Sequence, residues 1–144
     1  MKRLALILLL AAATQAQTSI AVIADCVLPP AHFTTTGTTM PFNNISSGCR
    51  FWEVHYTSVG FSVISLAFQS AANTTGNVPD TFGTFGGTTV SGSNPATATT
   101  QAQATFKGFY PWLRLNLATA TGTGSVRVYA YGYTSTAEST ASGN

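Results

Sequence analysis

Charge is scarce in this chain. Of its 144 residues only 7% are Asp, Glu, Lys or Arg, against about a quarter in an average soluble domain. Lys2 and Arg3 stand at the very start, and beyond them Arg50, Lys107, Arg114 and Arg127 are balanced by Asp25, Glu53, Asp80 and Glu138. Such a balance leaves no basic footprint for nucleic acid or an anionic membrane surface. Solubility must rest on Thr, Ser, Asn and Gln, which suits an exported surface or particle protein better than a cytosolic enzyme.

Reactive groups are few as well. There are two histidines and two cysteines, with no Cys-x-x-Cys, Gly-x-Ser-x-Gly, His-Glu-x-x-His, Walker or dinucleotide motif. Gly83, Gly86 and Gly87 precede no helical pattern and read as turn or bulge residues. We therefore expect no enzyme activity, no catalytic residue, no metal and no cofactor. Glu53 and His55 are the one pair to weigh against this, because residues two apart on a strand project together. They suit an acid/base pair or a metal shared with His32 or Asp80, or, more plainly, a solvated outer face beside Phe51. Asn73, Asn77 and Asp80 place three oxygen-bearing side chains on one loop, a weak calcium pattern with one carboxylate that turn chemistry explains equally well. Asn44-Ile45-Ser46 and Asn73-Thr74-Thr75 fit the glycosylation acceptor pattern.

No helical stripe is visible outside the N-terminus. There, Met1-Lys2-Arg3 forms a basic head, residues 4–13 are apolar, and Thr14-Gln15-Ala16 ends in small residues. This is the layout of a secretory signal peptide, with an apolar run too short to span a bilayer. Cleavage is expected after Ala16, with Ala13 as the alternative, so no membrane span would remain. A lipoprotein anchor is excluded because Cys26 lies well beyond the run and follows Asp25. Export places Cys26 and Cys49 in an oxidising compartment and predicts one disulfide. On the chain-entropy model such a crosslink stabilises by about 3 kcal/mol.

The rest of the chain reads as strands. Residues 17–28 are β-branched and end at Pro29-Pro30; a Thr-rich extended stretch covers 32–40, and a turn cluster 43–48 leads into 49–57. In that strand Trp52, Val54 and Tyr56 are assigned to the core. Further on, Ile64, Leu66 and Phe68 share one face, residues 81–90 form a Gly-punctuated strand carrying Phe82 and Phe85, and Ala102, Ala104 and Phe106 point inward from 97–107.

The strongest pattern is at 109–117 and 125–133, two alternating segments joined by small, Gly-rich residues, which predicts a β-hairpin. Pairing Leu117 with Val126, Leu115 with Val128 and Leu113 with Ala130 gives one apolar face. Trp112 then stands opposite Tyr131, Arg114 opposite Tyr129, and Asn116 opposite Arg127, a single aromatic and Arg-rich outer face suited to a protein interface or to a sugar ring. The predicted fold is all-β: a single antiparallel β-sandwich of seven or eight strands with a C-terminal hairpin, jelly-roll topology among its options and a barrel as the alternative. Its expected divisions are a signal peptide at 1–16, the sandwich at 17–133 and a flexible polar tail at 134–144. No internal repeat or second domain is visible, and Trp52 follows both cysteines, which does not fit the immunoglobulin pattern.

Residues 60–108, with the endings Phe-Tyr-Pro-Trp-Leu-Arg-Leu-Asn-Leu and Gly-Ser-Val-Arg-Val-Tyr-Ala-Tyr-Gly-Tyr, resemble a run shared by short uncharacterised β-rich proteins of bacterial, prophage and phage genomes. The resemblance implies a sandwich strand followed by a terminal hairpin, and a virion-associated or surface-displayed module, but no activity. The expectation from sequence is thus an exported structural or adhesive module of a surface layer, filament or particle. Its partner would be a second copy, offering its apolar first strand, or another surface or virion protein. The alternative is a carbohydrate-binding module using the Trp112 and Tyr131 face.

Overall fold

The computed structural model describes residues 24–135. The strands, in chain order, are β1 (Cys26–Val27), β2 (Ala31–Phe33), β3 (Gly37–Thr38), β4 (Phe42–Asn43), β5 (Phe51–Val59), β6 (Val63–Ala71), β7 (Gly83–Thr84), β8 (Thr88–Ser91), β9 (Gln101–Lys107), β10 (Trp112–Thr121) and β11 (Ser125–Tyr133). No helix occurs among the described residues, so none there is long and apolar enough to cross a membrane. One sheet runs β1-β11-β5-β9-β8 with β2 also on β11; the other runs β3-β10-β6-β7 with β4 also on β10. Every pairing is antiparallel. The all-β sandwich is therefore the fold.

Five long strands build it, and each is a strand because alternate residues are apolar. From the β11 sheet, Trp52, Val54, Tyr56, Ala104, Phe106, Val126, Val128 and Ala130 point into the core. Ile64, Leu66, Phe68, Leu113, Leu115 and Leu117 meet them from the β10 sheet. Burying each large side chain contributes about 1.5–3 kcal/mol. Trp52 sits at the centre with Phe42 and Phe68 rings 6.1 and 5.8 Å away. Its cross-strand neighbour is Gly132, where a Cβ would come within 2.6 Å of the indole. That glycine is the space the tryptophan needs.

The predicted hairpin is corrected. β10 pairs along its length with β6, and β11 with β5, so the two strands lie in opposite sheets and the pairs 117/126, 115/128 and 113/130 do not form. The connection 122–124 is an arch over the end of the sandwich, nested against the β5–β6 arch through Ser62 N–H donating to Thr121 C=O at 2.9 Å. The apolar faces were assigned correctly, since both strands bury theirs. Alternation reports which face is buried; it is silent on whether the next strand pairs at its side, about 4.8 Å away, or faces it across the core, about 10 Å away.

A second correction concerns 81–90. Rather than one strand, this stretch divides into β7 on β6 and β8 on β9, and Phe85 is buried as the chain passes between sheets. Phe85 stacks on Phe68, with centroids 5.0 Å apart, and leans on Phe106 and Tyr110. Gly87 permits this close passage, because a Cβ there would meet the Lys107 carbonyl and the Phe85 ring. Eleven strands among the described residues replace the expected seven or eight. The excess consists of pieces of two to four residues along the sheet edges, too short for any alternation to show.

The disulfide is present. Cys26 and Cys49 are joined, with Cα atoms 6.5 Å apart, and tie β1 to the segment entering β5. β1 pairs with β11 of its own chain and Leu28 is buried there, so this part of the first strand is held at home. Thr134 is held too, its N–H and hydroxyl both donating to Asp25 Oδ2 at 2.8 Å. The expected signal peptide at 1–16, the part of the expected first strand before 24 and the expected tail beyond 135 lie outside the described residues.

Candidate functional site

The outer faces of the two sheets carry the residues that the sequence nominates, but they do not form one surface. Trp112, Arg114 and Asn116 project from β10; Arg127, Tyr129 and Tyr131 project from β11, on the opposite side of the sandwich. The composite face of six residues is therefore corrected into two faces of three. None of Trp112/Tyr131, Arg114/Tyr129 and Asn116/Arg127 is a cross-strand pair, for the same reason that the hairpin does not exist.

On the β10 sheet Trp112 and Arg114 are engaged by their own surroundings. Trp112 Nε1–H donates to Asn73 Oδ1 at 2.9 Å, and Asn73 Nδ2 donates in turn to Asn77 Oδ1 at 3.1 Å. Arg114 Nε–H donates to Gln69 Oε1 at 2.7 Å, and its guanidinium lies 4.1 Å from the centre of the Phe82 ring. Partial burial lowers the Arg114 pKa from its usual value, yet a guanidinium stays charged at any ordinary pH. Asn116 stands between Thr38 and Ala67. This is a surface knitted by cation–π and hydrogen-bond contacts.

The β11 sheet is arranged differently. Cross-strand register sets Tyr129, His55 and Gln103 in one row over β11, β5 and β9, and Arg127, Thr57 and Gln101 in the next, with His32 beside Arg127 on β2. Long side chains on β11 and β9 flank shorter ones on β5. The result is a groove of about 420 Å³ lined by His55, Thr57, Gln101, Gln103 and Tyr129, with Tyr56 and Ala102 beneath. Because β8 pairs only with Thr105–Lys107, it stops short of the groove. The Tyr129 side of the groove is open, with that residue 43% exposed.

Glu53 and His55 do share the outer face, as their spacing predicts. Glu53, however, is only 3% exposed and is not a solvated residue. It sits between Tyr131 and Thr105, with Oε2 3.6 Å from His55 Nε2, and Tyr131 packs edge-on against the His55 ring at 6.0 Å. The carboxylate and the Tyr131 ring orient the imidazole at the groove floor. His32 lies on the same face through its pairing with Arg127, whereas Asp80 is in the β6–β7 loop, hydrogen-bonded to Ala72 and Thr81. Among the described residues no group of three His, Cys, Asp or Glu side chains is placed to hold a metal ion. In the calcium pattern, Asn73 and Asn77 bond each other and Asp80 bonds Thr81 N–H, so these oxygens serve the loop.

Asn44 is fully buried. Its Nδ2 donates to the Cys49 and Tyr110 carbonyls at 2.8 and 3.1 Å, and its Oδ1 accepts from Cys49 N–H at 3.0 Å, so the folded chain offers no glycan acceptor there. Sequence reasoning did not single out Thr57, Gln101 or Gln103. Part of the signal existed: assigning Ala102, Ala104 and Phe106 to the core turns Gln101 and Gln103 outward, and the β5–β9 pairing then sets them beside the Glu53–His55 face.

No family of known proteins matches this sequence, and no curated protein does. Among solved structures the chain is similar to the crystal structure of the SPBc2 prophage-derived protein YomS, with TM-score 0.43 and 12% identity over 79% of this chain and 98% of that one. A likeness of this size carries no functional argument.

Proposed function

We propose that this chain is an exported, non-catalytic β-sandwich module that attaches through the outer face of its β11 sheet to a partner in a surface layer, filament or virion-like particle. The carrying observation is the contrast between edges and face. Short pieces of the same chain cover the long strands at the sheet edges: β1 and β2 on β11, β3 and β4 on β10, β7 on β6 and β8 on β9. Asn94 extends the cover along β6, its side-chain amide accepting from Phe68 N–H at 3.0 Å and donating to Phe68 C=O at 2.8 Å. Edges interrupted in this way discourage strand addition. Recognition then falls to a face, and the β11 face holds the groove. The intrachain disulfide supports an oxidising destination outside the cytoplasm.

The test begins with the full chain expressed with its N-terminal segment in a bacterial host. Recovery outside the cytoplasm in oxidised form is expected; retention as a reduced cytoplasmic protein would sink the export reading. Purified oxidised chain should then attach to cells or particles from its source. Attachment should disappear in the Tyr129→Ala/Gln103→Ala double variant and persist in Trp112→Ala/Arg114→Ala. The reverse pattern would place the contact surface on the β10 sheet. Light scattering over a concentration series decides whether the partner is a second copy, through growth in mass, or a different molecule.

A further inference from the structure

We infer that the groove beside Tyr129 is a subsite for a neutral saccharide; this rests on the β11 face being the contact surface and names what it contacts. The argument starts from shape. Neighbouring strands lie about 4.8 Å apart, so the row Tyr129–His55–Gln103 places an aromatic ring and an amide about 10 Å from one another. In the adjoining row Thr57, shorter than its flanks Arg127 and Gln101, leaves the depression. Its volume of about 420 Å³ falls within the range of about 300–1,000 Å³ seen for small-molecule sites.

Chemistry then selects the occupant. An apolar ligand calls for a mainly hydrophobic lining, whereas this lining is made of two side-chain amides, a hydroxyl, an imidazole and a phenol. Amides and hydroxyls each combine donor and acceptor capacity, which matches sugar hydroxyls that also do both. The half-exposed Tyr129 ring offers a flat apolar surface to the C–H face of a pyranose. Among the described residues no carboxylate or ammonium lines the groove, so its charge complements an uncharged ligand. Arg127, exposed in the adjoining row, is a permanent cation at the rim and serves as a hydroxyl donor. The β10 face bears the same residue types, but its Trp112 Nε1–H and Arg114 Nε–H are already taken by Asn73 and Gln69, and the Arg114 guanidinium lies against the Phe82 ring.

The experiment is isothermal titration calorimetry of the full oxidised chain with maltohexaose, cellohexaose, xylohexaose and mannohexaose, and with an anionic hyaluronan hexasaccharide. Saturable binding of at least one neutral oligosaccharide is expected. Tyr129→Ala should weaken it about tenfold or more, as loss of a central contact residue does. Gln101→Ala/Gln103→Ala should also weaken it and carries the test if Tyr129→Ala does not fold; Trp112→Ala should leave it within about twofold, because that side chain is in the other sheet. Flat titrations for all four neutral sugars overturn the proposal. If surface attachment still depends on Tyr129 in that case, the module reading stands and the saccharide falls alone; if attachment is absent too, both fall. Binding of hyaluronan only, abolished by Arg127→Ala, or binding lost in Trp112→Ala but not in Tyr129→Ala, also overturns it.

Discussion

β10 and β11 follow one another in the chain, bury equally apolar inner faces and carry similar outer residues, yet their outer faces have opposite fates. Trp112 and Arg114 on β10 are drawn into contacts with Asn73, Gln69 and Phe82. Tyr129 and Arg127 on β11 stand beside Thr57 and His55 and leave a groove. The difference arises in the neighbouring strand. Where the neighbour is long and polar, as Gln69 is, it accepts from the arginine and holds it down; where it is short, as Thr57 is, space remains. Residue type alone therefore does not mark a binding face. The partner across the ladder decides whether a donor is consumed.

The largest effects should test what the two strands share. Leu115→Ala on β10 removes a fully buried side chain and should cost about 2–5 kcal/mol, read as a drop in midpoint on denaturant unfolding. A much smaller loss would mean that the inner faces are not equivalent halves of one core. Next comes the crosslink, which ties only the β11 side. The Cys26→Ser/Cys49→Ser double variant should lose about 3 kcal/mol for a separation of 23 residues. Hydrogen exchange should rise in β1 and at the start of β5 before it rises in β10. Uniform loosening of both sheets would break the asymmetry.

A smaller effect separates the outer faces directly. Arg114→Ala gives up a 2.7 Å hydrogen bond and a cation–π contact and should cost about 1 kcal/mol. Arg127→Ala, at an exposed position, should stay within about 0.5 kcal/mol. Equal losses in thermal or urea unfolding would show that Arg127 is as firmly engaged as Arg114 and that the β11 face is not free for a partner.

How far the sequence reveals this arrangement follows from what alternation encodes. Burial was legible: Trp52, Leu66, Phe106, Leu115 and Val128 are inside, as period two predicts. Pairing was not. A Gly-rich connection with apolar alternation on both sides produces the same pattern whether the chain turns back within a sheet or arches over to the other, and only the competing partners β6 and β5 decide. The composite Trp112–Tyr131 face failed with the hairpin it was built on. Glu53 and His55 were visible as a pair because their spacing is local. The groove was not, since it needs β9 and β11 placed on either side of β5, a contact between segments far apart in sequence. The short edge strands could not be resolved as separate pieces, because two to four residues are too few to show a period.

The finest test separates the two tyrosines at the groove. Tyr56 lies beneath it, buried, its hydroxyl donating to the Ala98 carbonyl at 3.0 Å, whereas Tyr129 stands at the open side. Burial raises the Tyr56 pKa above its ordinary value of 10.0, with the Ala98 bond opposing. A raised folded-state pKa means that the native chain holds a proton which the unfolded chain releases. The associated stability is fully present below the unfolded value, declines as pH rises past it, and is gone once pH passes the folded value. Urea unfolding from pH 8 to 11, about two units below and one above the ordinary tyrosine value, should show stability falling at the alkaline end. Tyr56→Phe should cost about 1 kcal/mol at neutral pH by leaving the Ala98 carbonyl without its donor, and should flatten that decline. Tyr129→Phe, at an exposed position, should leave the neutral stability near that of the parent. If Tyr129→Phe costs the stability at neutral pH and Tyr56→Phe does not, the buried and open sides of the groove have been assigned the wrong way round.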